Sequence, residues 1–148
     1  MSRLRFRNID ADPGDPVATW PTEGFIAALE RGELSDWRRI AAEVRRDPWG
    51  PAARRLEDAL AVTQPYGIGP LMVRLLTDAR RDREAEERTE VSARVRAYLE
   101  RSGLKRSEFA SSVGTSESRL STYLSGKVAP SSTLLVRMER VAGRPPHT

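Results

Sequence analysis

The chain has 148 residues, 39% hydrophobic and 31% charged, with a net charge of +4, which bounds it to one ordinary globular domain or two small ones. It has no cysteine and a single histidine, His147, one residue from the end, so disulfides and thiolate chemistry are excluded, and no metal site, cofactor site or catalytic triad is expected. No apolar run approaches the ~18 residues of a membrane span, and Arg3, Arg5 and Arg7 lead into acidic and proline-rich sequence where a secretory signal would be apolar. The expectation is a cytoplasmic protein with no membrane partner and no enzymatic activity.

Arg3-Leu4-Arg5-Phe6-Arg7 alternates charged and apolar groups with period two. It reads first as a short strand or arm that packs Leu4 and Phe6 on neighbouring helices; a basic arm on DNA and an edge pairing with a second subunit are the alternatives. Pro13, Gly14, Pro16 and Pro21 then mark a loop. From Thr22 the pattern is helical. Phe25, Ile26 and Leu29 form one stripe that stops at Gly32. A second helix, opened by Ser35 as cap, repeats Trp37, Ile40, Ala41 and Val44 and ends at Asp47-Pro48. A third runs from Gly50 or Pro51 to Val62 with Ala53, Leu56, Ala59 and Leu60 inward. Trp20, Trp37 and Trp49 all lie in this region with Tyr66; aromatic rings in so small a bundle are mostly core, but some of the four are candidates for a partner-binding surface.

Pro65 and Gly67 make a turn, and Pro70 suits the first turn of a fourth helix with Leu71, Met72, Leu75 and Leu76 inward. The run DARRDREAEERTE that follows supports helix through i,i+4 pairs such as Arg80/Glu84 and Arg83/Glu87, but its only apolar residues are Ala79 and Ala85, too few for a coiled-coil seam. Residues 70–90 therefore read as a charged linker helix between an N-terminal helical domain, 1–69, and a C-terminal one, 91–142, with 143–148 as a tail. Charge divides the same way. Residues 1–90 carry 15 Lys+Arg against 17 Asp+Glu, and residues 91–148 carry 10 against 4, so the basic excess sits at the C-terminal end, where phosphate attraction would act.

Val91, Val95, Tyr98 and Leu99 open the C-terminal bundle, and Leu134, Leu135, Met138 and Val141 close it. Between them, Leu104, Phe109, Ala110 and Val113 make one short helix, Gly114 stops it, and Ser116 caps a second that buries Leu120, Tyr123 and Leu124. At 100° per residue, Ser118 and Thr122 point away from Leu120, beside Arg119. A small polar face with an arginine suits the base edges of a major groove.

Leu104, Glu108-Phe109-Ala110, Val113-Gly114, Ser116, Leu120-Ser121, Gly126-Lys127 and Pro130-Ser131 resemble the helix-turn-helix of Xre/Cro-like regulators over residues 91–142. The resemblance implies an all-α fold and a double-stranded DNA partner. It implies base reading by Glu117, Ser118, Arg119 and Thr122, and phosphate contacts from Arg106, Ser116 and Lys127, to which Lys105 and Ser125 are added as neighbours. Lys105 stands where the family usually has a capping serine or threonine, so the first of the two helices is expected to start late, at Ser107, or to fray. One recognition helix reads only a few base pairs, so a homodimer is expected. The leading function is a transcriptional repressor acting on its own promoter; the alternative is an antitoxin that binds its operator and neutralises a toxin protein through the other domain; a protein scaffold ranks third.

Overall fold

A computed structural model describes residues 3–144. His147 and the end of the expected tail lie outside the described residues. The described chain is all-α: a short 3-10 helix at Val17–Thr19 precedes α1 (Thr22–Arg31), α2 (Leu34–Arg46), α3 (Pro51–Val62), α4 (Ile68–Ser102), α5 (Arg106–Val113), α6 (Glu117–Leu124) and α7 (Ser132–Ala142). It divides into two compact units, Met1–Arg83 and Glu84–Thr148. Each has its own apolar core.

The strand suggested for the N-terminus is not formed. A strand needs a neighbour to pair with, and no described residue is in one. Residues 3–6 instead run as an irregular arm that buries Leu4 and lays the Phe6 ring against Trp20, with centroids 5.1 Å apart at 84°. The same ring sits against Gly24, where an added Cβ would lie 3.0 Å from Phe6 Cζ. Glycine is thus what lets the arm approach α1.

Trp20 is the centre of the N-terminal core, fully buried between Phe6 and Phe25, with its indole N–H donating to Asp15 O at 3.1 Å. Its place in the partner-binding set is therefore corrected: it is core. The irregular loop before it leaves carbonyls that need donors, and arginines from the helices supply them. Arg39 donates to Pro13 O and Asp15 O, and Arg55 to Ala18 O and Trp20 O.

Helix α2 starts two residues earlier than its expected cap allowed. Ser35 is inside the helix, and Glu33 and Asp36 form a reciprocal capping box in which buried Asp36 accepts the Glu33 N–H at 2.8 Å. Helix α4 is one unbroken element of 35 residues, and Pro70 is its third residue, still within the turn where no intrahelical N–H is required. Ile68, Met72, Leu76 and Ala79 bury into the N-terminal core, so residues 70–83, read from charge as linker, belong to the first unit. Leu71, expected inward, is 59% exposed.

The expected Arg80/Glu84 pair is replaced by tertiary partners. Arg80 bonds Glu57 Oε2 at 2.7 Å and Pro48 O at 3.0 Å, and lies 4.6 Å over the Trp49 ring. Arg83 donates to the carbonyls of Arg45 and Arg46, a cation at the C-terminal end of α2. Among the described residues, no helix is long and apolar enough to cross a membrane.

Candidate nucleic-acid interface

Helices α5 and α6 pack on each other, and α7 packs on α5, around Val95, Phe109, Val113, Leu120, Leu134 and Met138. The turn between α5 and α6 is dictated by Gly114. Its φ of 81° is left-handed, and the Thr115 N–H returns to Ala110 O at 2.9 Å, satisfying a carbonyl of the last turn of α5. Helix α5 begins at Arg106, directly after Lys105, and not at Ser107. Lys105 takes the N-cap position with extended backbone, and its carbonyl accepts the Phe109 N–H at 2.9 Å, but no side chain caps the helix. Burial of Phe109, Ala110 and Val113 holds a helix that its cap does not.

Ser116 caps α6. Its Oγ accepts the Arg119 N–H at 3.2 Å and lies 3.2 Å from Ser118 Oγ. With Leu120, Tyr123 and Leu124 buried, Glu117, Ser118 and Arg119 are left exposed in the first turn, Ser118 opposite the buried face. Arg119 makes no side-chain hydrogen bond or ion pair with any described residue. A guanidinium held on a short helix with its five donors unspent can grip a guanine edge through two hydrogen bonds.

Thr122 is different. It is only half-exposed, and its hydroxyl donates to Arg119 O at 2.6 Å, so the proton is committed to the helix itself. What it can still offer a base is an acceptor lone pair and a methyl group for apolar contact. Its carbonyl has a second task, accepting Ser125 Oγ at 3.0 Å, Lys127 N at 3.1 Å and Val128 N at 3.3 Å. Those bonds shape the turn that presents Lys127.

The proposed phosphate ligands Lys105, Arg106, Ser116, Ser125 and Lys127 are all exposed, Lys105 and Arg106 at the start of α5, Ser116 at the start of α6, and Ser125 and Lys127 just after its end. In helix-turn-helix docking the second helix enters the major groove while the first crosses the backbone, which is the division of labour these positions require. Two arginines that sequence reasoning passed over support the motif from behind. Arg96 donates to Leu124 O at 3.1 Å, placing a cation on the C-terminal carbonyls of α6. Arg137 lies close against the turn, with Nη1 3.0 Å from where a Cβ on Gly114 would be. Neither has a local signature, because each reaches a partner more than twenty residues away.

The aromatic candidates of the N-terminal unit do not share one fate. Trp37 is half-buried with its N–H on Ala28 O at 2.9 Å; Trp49 is 52% exposed under Arg80; Tyr66 is fully exposed. No group of three or more His, Cys, Asp or Glu that could hold a metal ion occurs among the described residues.

No curated protein and no solved structure matches the chain. Residues 90–148 match the family model described as a helix-turn-helix domain, so the C-terminal part of this chain carries a helix-turn-helix domain, as expected of a DNA-binding regulator.

Proposed function

We propose that the chain is a sequence-specific transcriptional repressor of the Xre/Cro-like type, acting on double-stranded DNA in the bacterial cytoplasm, without catalytic activity. The observation that carries the reading is α6: Glu117, Ser118 and Arg119 are exposed in its first turn, Arg119 with no side-chain partner among the described residues, while Leu120 and Leu124 are buried. Glu117 accepts from a cytosine amine, Ser118 donates to or accepts from a base edge, and Arg119 donates to guanine. Lys105, Arg106 and Lys127 bind phosphate and set the register. The chain acts as a homodimer, since one helix of eight residues reads too few base pairs to single out an operator. Footprinting on the chain's own upstream region tests this. Two protected half-sites about one helical turn, ~10 bp, apart or a multiple of it are expected; uniform, sequence-independent protection would contradict it.

A second reading, an antitoxin whose N-terminal unit neutralises a toxin, is favoured by the exposed rings of Trp49 and Tyr66 on that unit. It keeps the same DNA interface and adds a protein partner encoded beside it. Co-expression with the neighbouring gene product separates the two: relief of growth inhibition that is lost in Trp49→Ala or Tyr66→Ala supports the antitoxin.

A further inference from the structure

We infer that the groove between α2 and α4 of the N-terminal unit is the surface on which a second copy of this chain docks, with the two α4 helices antiparallel about a two-fold axis beside Leu75. The inference rests on the dimeric reading above and names the surface it needs.

The groove encloses about 440 Å³. Leu34 and Trp37 of α2 and Leu71 and Leu75 of α4 contribute its apolar lining. Leu34 and Leu71, one from each wall, are 57% and 59% exposed. Two large aliphatic side chains left in water at one groove are what a partner would cover. Along α4 the lining residues Leu71, Leu75, Asp78 and Asp82 follow a spacing of four, three and four, the stripe a helix offers to another helix packed along it.

Charge chooses the occupant. The rim mixes both signs: Arg38 and Arg45 on α2, and Arg74, Asp78 and Asp82 on α4. The side chains of Arg38 and Arg74 have no ion pair or hydrogen bond with any described residue, and that of Asp78 reaches only Arg81 among them, at 3.8 Å, in an exposed pair. A partner of a single charge sign would leave half of this rim opposed. A second copy related by a two-fold axis does not, because Arg74 and Asp78 flank Leu75 on one helix face. Antiparallel approach about an axis between Leu75 and Leu76 brings Arg74 of each copy within reach of Asp78 of the other and sets Leu75 near Leu75 and Leu71 near Ala79. A two-fold interface must be self-complementary, and this stripe is.

The test is the mass of the full-length protein in solution by sedimentation, alongside its melting curve. A dimer at micromolar concentration is expected. Leu71→Glu alters an exposed side chain, so it should still melt cooperatively, shifted down only by the stabilisation that dimerisation had supplied, while raising the dimer dissociation constant by roughly a hundredfold, because one change strikes a two-fold interface twice. Arg74→Asp should weaken the dimer, and adding Asp78→Arg should restore it by exchanging the partners. A monomeric wild type, a Leu71→Glu protein as dimeric as wild type, or a double reversal that stays monomeric would each overturn the inference. Failure of the DNA-binding reading shows differently: a dimer that responds to these variants but prefers no DNA sequence. A dimer untouched by them but selective for its operator would leave the function standing and move the interface elsewhere.

Discussion

Ser116 Oγ accepts the backbone N–H of Arg119 at 3.2 Å, so the residue that caps α6 also fixes the turn on which the exposed Arg119 is mounted. Stability and recognition meet in this bond, and two substitutions pull them apart. Ser116→Ala removes the cap and should cost about 0.5–2 kcal/mol of stability. Ser116→Asp keeps a cap of equal quality but sets a negative charge at a proposed phosphate contact. It should melt like wild type and bind DNA worse than Ser116→Ala does. Paired melting and titration curves decide; equal binding by the two variants would remove Ser116 from the phosphate contacts.

Gly114→Ala should destabilise by about 1–2 kcal/mol, from the left-handed conformation alone. The added Cβ would also stand 3.0 Å from Arg137 Nη1, a contact that a flexible guanidinium can relieve. Gly114→Asn should cost less than Gly114→Ala, since asparagine tolerates positive φ better. Thermal melts of the two variants check the order.

Lys127→Ala should weaken binding to every DNA sequence alike and flatten the plot of log affinity against log salt by about one unit. Its backbone N–H is held by Thr122 O at 3.1 Å, which is independent of the side chain, so the turn should survive. Titrations at several salt concentrations measure the slope. A change in base preference would reassign Lys127 to base reading.

Trp20 and Trp49 should respond oppositely to truncation. Trp20→Ala empties the middle of the N-terminal core and should cost about 3–5 kcal/mol. Trp49→Ala removes an exposed ring under Arg80 and should cost about 0.5–1 kcal/mol. Chemical denaturation of each variant tests the contrast.

What the sequence makes legible is local. Gly114 and Ser116 carry their own conformational signals, and the spacing of Leu120, Tyr123 and Leu124 turns Ser118 to solvent without help from the rest of the chain. The helical pattern of residues 51–62 is legible for the same reason. Where partners lie far along the chain, the pattern misleads. Arg80 looks like half of an i,i+4 pair but is drawn to Glu57 and Pro48. Residues 3–7 alternate like a strand, yet Phe6 finds the space above Gly24 and beside Trp20, and no extended neighbour is present among the described residues. Ser35 is the better cap by residue type, but the reciprocal bonds of Glu33 and Asp36 prevail. At Thr122 the helical wheel gives the direction but not the 2.6 Å bond to Arg119 O, which decides what the hydroxyl can offer.

The proposed function requires α6 to read sequence through Arg119. Its most direct test is a titration of the full chain on its own upstream region and on scrambled DNA of equal length, for wild type and Arg119→Ala, at two salt concentrations. Wild type should prefer its own region, and Arg119→Ala should lose about 1–3 kcal/mol on that region while its binding to scrambled DNA changes little beyond the loss of one charge. Equal affinity for both DNAs in wild type, or a preference that Arg119→Ala leaves intact, would contradict the claim.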